Sequence, residues 1–229
     1  MELEILYEDN HLIAINKPAG ILSQGDKTGD KVLADYVKEY IVKKYNKPGE
    51  AFLGVIHRLD RPVSGVVLLA KTSKALSRMN EQFKTREVQK TYWAIVEQQP
   101  KEPQATLVHW LKKNEEKNKS QAFPKEINGS LRCELEYEYK GSSDKYHLLE
   151  VKPHTGRHHQ IRVQLSAIGS IIKGDLKYGA KRSNPDGSIS LHARKLEFIH
   201  PVKKEETIII TAPVPNDAIW TFFENLQVS

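Results

Sequence analysis

The chain alternates between short apolar runs suited to strands and longer stripes at helical spacing. Leu3 to Tyr7 and Leu12 to Ile15 read as two strands around the turn Glu8 to His11, and Lys17-Pro18-Ala19-Gly20 breaks the pattern. Asp30 is placed to cap a helix whose Val32, Leu33, Tyr36, Val37, Tyr40 and Ile41 form one apolar stripe. Phe52 to Ile56 and Val66 to Ala70 read as strands joined by the loop His57 to Gly65. Ser73 then caps a second helix, with Leu76, Met79 and Phe83 on one face. Val88 to Val96 reads as a strand. Alternation over Leu131, Cys133, Leu135, Tyr137 and Tyr139 predicts another, with Tyr146 to Val151 as its hairpin partner. Ile161, Leu165 and Ile168 predict a helix from about Arg157 to Gly169. Leu191 to Phe198 and Thr207 to Thr211 complete the strands, and a short helix follows Asn216. Strands outnumber helices and often follow one another directly. The pattern therefore predicts an α+β (mixed α/β) fold with a largely antiparallel sheet flanked by helices.

Length and composition narrow this picture. At 229 residues the chain suits one domain, 1–229, and the polar, lysine-rich stretch 112–129 stands out as a mobile loop or insertion. The one cysteine, Cys133, excludes an internal disulfide and a multi-cysteine zinc site. No apolar run is long enough to span a bilayer, and the start of the chain lacks the layout of a signal peptide, so a cytoplasmic protein without a membrane partner is expected. The net charge of +6 is compatible with a nucleic-acid partner, and its distribution says more. Lys152 to Arg162 carries three basic residues, three histidines and no acid.

Several familiar sites are absent from the sequence: there is no phosphate loop, no dinucleotide fingerprint, no H-E-x-x-H and no G-x-S-x-G. His154 and His158 lie four apart, but Pro153 and Gly156 flank them and no cysteine or acid completes a metal set, so no metal is expected. Three segments remain as candidates for chemistry. In the loop His57-Arg58-Leu59-Asp60-Arg61-Pro62-Val63-Ser64-Gly65, two arginines within two residues of Asp60 offset repulsion between its carboxylate and an approaching phosphate backbone. Read alone, the segment favours Asp60 as a turn residue ahead of Pro62, with its arginines in solvent. In Lys152-Pro153-His154-Thr155-Gly156-Arg157-His158-His159-Gln160-Ile161-Arg162, a helix start after Gly156 would offer backbone N–H groups to a phosphate, with Arg157 and Arg162 as forks for anions. On Lys90-Thr91-Tyr92-Trp93, alternation sends Tyr92 and Trp93 to opposite faces; read alone they are two core aromatics by default, and the alternative leaves one of them available to stack on a base.

Together these segments resemble the RluA-type pseudouridine synthases. The carriers are His57-Arg58-Leu59-Asp60 with Ser64-Gly65, Lys90-x-Tyr92, and Thr155-Gly156-Arg157-x-His159-Gln160-Ile161-Arg162. Asn16-Lys17-Pro18-Ala19-Gly20 precedes them. Gly174-Asp175, Tyr178-Gly179, Leu191-His192-Ala193 and His200-Pro201 follow in order. Val63, His158 and Gln164 depart from the family pattern and bear on substrate preference.

The resemblance implies a cofactor-independent isomerase acting on structured RNA, ribosomal or transfer RNA. It would break the glycosidic bond of a uridine, turn the uracil and rejoin it through carbon 5. Asp60 is then the catalytic carboxylate, Arg162 its ion-pair partner, and Tyr92 the residue that stacks on the flipped base. His57, Arg58, Arg61, Lys152, Thr155, Arg157, His159 and Gln160 fall to RNA binding. The match begins near Ile5, so no S4-like RNA-binding domain is expected, and a monomer is the expected state. Two other readings use the same residues: a catalytically silent RNA-binding protein, which would not need Asp60, and a nucleoside or glycoside hydrolase, which would call for a second carboxylate.

Overall fold

A computed structural model describes residues 1–25, 29–46 and 48–228. The chain divides into two compact units, Met1–Gln89 with Ala193–Pro213, and Lys90–His192 with Val214–Ser229. Among the described residues no helix is long and apolar enough to cross a membrane.

The first unit is built on β1 (Ile5–Glu8), β2 (Leu12–Lys17) and β4 (Ser64–Ala70), antiparallel in that order, with the two-residue β3 (Gly54–Val55) against the end of β4. Beyond β4 lies β10 (Leu191–Ile199, in this unit from Ala193), and β10 pairs with β11 (Thr207–Thr211). All seven residues of β4 are buried, as the unbroken apolar run Val66 to Ala70 requires of a central strand. Leu12 and Ala14 join Val66, Leu68 and Ala70 in one cluster, alternate residues sharing a face. Leu196, Phe198, Ile208, Ile210, and Ala75 and Met79 of helix α2 (Ser73–Thr85) complete it.

In the first unit, two helix starts differ from the sequence reading. Helix α1 (Leu33–Lys44) is capped at Val32, whose N–H donates to the Asp35 carboxylate at 3.1 Å, while Asp30 pairs with Arg61 instead. Helix α2 is capped one residue earlier than expected, by Thr72, whose hydroxyl accepts from the Ala75 N–H.

The second unit is an antiparallel sheet in the order β5 (Gln89–Val96, here from Lys90), β9 (His147–Pro153), β8 (Leu131–Ser142), β6 (Gln104–Asn114) and β7 (Lys119–Phe123). The segment 112–129, read from sequence as a loop or insertion, thus contains the end of β6 and all of β7, paired from Asn114↔Lys119 to Trp110↔Phe123. Helix α4 (Ala218–Val228) brings Trp220 and Phe223 onto Trp93, Ile95 and Leu148. Helix α3 (Gln160–Ala167) starts three residues later than its apolar spacing predicts, because His159 takes a left-handed backbone, φ 54°, and acts as its cap.

Candidate active site

In the first unit, Asp60 sits in the loop between β3 and β4, and the end of β2 with the segment that follows it bonds to that loop through Lys17, Gly20 and Ser23. The Ser23 hydroxyl donates to the Leu59 carbonyl and accepts from the Leu59 N–H, both at 3.1 Å. The Gly20 N–H donates to the Arg61 carbonyl at 2.8 Å, and Arg61 Nε returns a bond to the Gly20 carbonyl at 2.9 Å. Lys17, fully buried, donates from Nζ to the carbonyls of Ile21, Pro18 and Arg61 at 2.8, 3.0 and 3.4 Å. Asp60 itself closes a turn, its carbonyl accepting from the Val63 N–H at 3.0 Å. A side chain held only by its own loop would wander; here the backbone on both sides of Asp60 is tied to a second segment.

Lys17 also sets the local charge. Burial pulls its ammonium down from 10.5 to about 7, while the Asp60 carboxylate works against that fall. Loop exit is constrained too. Gly65 has φ +115°, and a Cβ there would lie 2.6 Å from the Ala193 amide nitrogen, so only glycine lets β10 approach the start of β4.

The neighbours of Asp60 have separate tasks. Arg61 reaches the Asp30 carboxylate at 3.2 Å with both side chains half exposed, and Arg58 is exposed. His57 stacks on Phe83 of α2, and its Nε2 accepts from the Leu68 N–H at 3.0 Å.

In the second unit, Tyr92 lies on β5 opposite Val151 of β9 and is half-buried, whereas Trp93 is buried in the α4 cluster. The stretch 152–162 divides between surface and interior. Lys152 and Arg157 are exposed, Lys152 near Glu150 at 3.4 Å. Thr155 and Gln160 are buried and latch the loop to β8. The Thr155 hydroxyl donates to Gln160 Oε1 at 2.7 Å and accepts from the Glu134 N–H, and Gln160 Nε2 donates to the Glu134 carbonyl at 3.0 Å.

Gln160 Oε1 also accepts from the Arg157 N–H, at 3.0 Å. The sequence reading of open N–H groups at a helix start near Arg157 is corrected accordingly: that amide is bonded to Gln160, and the helix begins at Gln160. His158 and His159 stack at 3.7 Å; the first lies within hydrogen-bond distance of Ser120 and Asn118, the second of the Tyr178 hydroxyl.

Arg162 is 5 % exposed and forms a two-pronged ion pair with Asp175, Nε to Oδ2 at 2.7 Å and an Nη to Oδ1 at 2.8 Å. Asp175 is itself 1 % exposed. Lys17, Ser23, Asp175 and Tyr178 were given no role from sequence, although Lys17, Asp175 and Tyr178 stand inside the motifs quoted above. A signal existed for Lys17, which continues the alternation of Ile13 and Ile15 into the interior.

Residues 11–167, which include Asp60, Tyr92 and Arg162, match the RNA pseudouridylate synthase family. The chain belongs to that family. This synthase is 33 % identical over 227 residues to a tRNA pseudouridine synthase C of Haemophilus influenzae, covering 92 % of each chain. It is likewise 33 % identical over 220 residues to a ribosomal large subunit pseudouridine synthase C of Buchnera aphidicola, covering 93 % of this chain and 68 % of that one. Its fold is shared with a solved structure, human RNA pseudouridylate synthase domain containing 4, at a TM-score of 0.78 and 24 % identity over 97 % of this chain. The synthase is therefore an isomerase of RNA uridines of the RluA type, with an α+β fold.

Proposed function

We propose that this synthase acts in the cytoplasm on structured transfer or ribosomal RNA, with Asp60, Tyr92 and Arg162 as its catalytic set. A uridine inside an RNA fold must leave the stack before its ribose–base bond can be reached. Asp60 then attacks the nucleotide covalently or stabilises positive charge developing on the sugar, the two courses open to a carboxylate in glycosidic chemistry. Tyr92 stacks on the extruded base, and its hydroxyl assists removal of the proton from carbon 5. Arg162 supplies fixed positive charge, and the exposed Arg58, Lys152 and Arg157 contact phosphates. The internally bonded Thr155 and Gln160 serve RNA binding by shaping the loop that carries Arg157.

The observation that supports the role of Asp60 is the clamp of Lys17, Gly20 and Ser23 on the backbone at Leu59 and Arg61, which holds in place the stretch of chain that carries its carboxylate. The test uses unmodified transcripts of transfer RNA and large-subunit ribosomal RNA tritiated at uridine carbon 5. The wild-type protein should release tritium and leave pseudouridine with no free uracil, and the transcript that reacts identifies the RNA. Asp60→Asn should abolish release while RNA affinity stays within a few fold. Substantial turnover by Asp60→Asn would refute the assignment, and free uracil would reveal a hydrolase.

A further inference from the structure

The Arg162–Asp175 pair is buried on both sides, and burying such a pair is a poor route to stability, because well-packed apolar side chains of similar volume do as well or better. What the pair provides is direction. The fork uses Nε and one Nη together, which fixes the plane of the guanidinium as a single hydrogen bond could not.

The turn that carries Asp175 is itself anchored. The Lys173 N–H donates to the Ile95 carbonyl of β5 at 2.9 Å, and the Asp175 carbonyl accepts from the N–H groups of Tyr178 and Ala180, both at 3.0 Å. Gly174, φ +85°, passes so close to Asn184 that a Cβ would lie 2.8 Å from its side chain. On the other side of Arg162 stands the Tyr178 ring, 5.1 Å from the guanidinium carbon, which adds a cation–π contact. Tyr178 is 5 % exposed, and its hydroxyl is a junction: it accepts from the Ser120 N–H on β7 at 2.9 Å and lies 2.9 Å from His159 Nδ1.

We propose that Asp175 and Tyr178 are positioning residues for the synthase reaction, holding the Arg162 guanidinium in one orientation, and that Tyr178 ties that orientation to the β6–β7 hairpin. This rests on the reading of Arg162 as part of the catalytic set. Neither residue touches the substrate. Each acts through Arg162, so their effects must vanish when Arg162 is gone.

The experiment is a double-mutant cycle on single-turnover tritium release from the same transcripts, with RNA affinity and thermal midpoint measured on every variant. Asp175→Asn should slow the wild-type enzyme on the order of 10²-fold, the loss expected when a reacting group is misplaced by about an ångström. Tyr178→Phe, which keeps the ring and removes only the hydroxyl, should slow it about tenfold, a change of roughly 1.4 kcal/mol in the barrier. RNA affinity should stay within a few fold in both. In the Arg162→Ala background neither change should reduce the residual rate further.

Should Asp175→Asn fail to fold, Tyr178→Phe decides alone, because it leaves the ion pair intact. Equal slowing of the Arg162→Ala enzyme and the wild type by these substitutions would mark a general structural role and overturn the proposal. Wild-type turnover by both variants while Arg162→Ala is slow would overturn it too. Wild-type turnover by Arg162→Ala would instead remove Arg162 from the catalytic set, a different failure with its own signature.

Discussion

Replacing Lys17 by methionine should change how stability depends on pH, and the direction follows from where its amine sits. Lys17 is fully buried, with carbonyl partners and the Asp60 charge nearby, and its ammonium is pulled from 10.5 to about 7 mainly by burial. Below pH 7 the amine is protonated both folded and unfolded, and the folded state bears the whole cost of the buried charge. As pH rises through 7 the folded amine loses its proton while the unfolded one keeps it up to 10.5. The unfolded state then binds more protons, and stability rises with pH across that window.

At about 1.36 kcal/mol per unit, the wild type should gain roughly 2.7 kcal/mol over Lys17→Met between pH 6 and pH 9. The assay is urea unfolding of both proteins at pH 6, 7, 8 and 9, taking the difference at each pH so that all other titrations cancel. In an Asp60→Asn background the same rise should begin at lower pH, because the charge that opposes deprotonation of Lys17 is gone. A difference that stays flat or falls from pH 6 to pH 9 would refute the reasoning.

Two further outcomes follow from single side chains. Gly65→Ala forces a left-handed backbone on alanine and drives its Cβ into the Ala193 backbone, so the urea midpoint should fall by the equivalent of about 2–4 kcal/mol; an unchanged midpoint would contradict the close approach. Arg157→Ala should flatten the dependence of log affinity on log salt by about one unit, as for one lost phosphate contact, leaving turnover on saturating RNA unchanged; an unaltered slope would place Arg157 off the RNA.

The elements easiest to read were those whose burial follows a simple period. The strand Thr207 to Thr211 was read to the residue, since Ile208 and Ile210 alternate with exposed neighbours, and β4 was legible as an unbroken apolar run. Strand β6 was missed for the opposite reason. Only Leu107 and Leu111 of its eleven residues are buried, and a spacing of four fits one face of a helix as well as one face of a strand. The strand expected over Phe52 to Ile56 shrank to Gly54–Val55, with Phe52 exposed and Gly54 packed so closely on Leu76 that any Cβ would collide with it. The helix expected from Arg157 starts late because Gln160 turns its side chain back to the Arg157 N–H and closes the loop ahead of the helix.

For the candidate site, motif order singled out Asp60, Tyr92 and Arg162, while the residues that support them were hidden because their roles depend on tertiary partners. Lys17 and Arg162 show why residue type alone falls short. Both are buried cations near proposed chemistry, yet they are held differently. Lys17 rests on neutral carbonyls with one carboxylate nearby, so its charge is conditional on pH. Arg162 is locked to a buried carboxylate thirteen residues on and keeps its charge at any pH at which the protein folds. A lysine in the place of Arg162 would lose the fork and could shed its proton. An arginine in the place of Lys17 would force a permanent charge against three carbonyls that stabilise it only as dipoles. The two positions therefore demand their own cations, and the demand comes from the partners that folding brings to each.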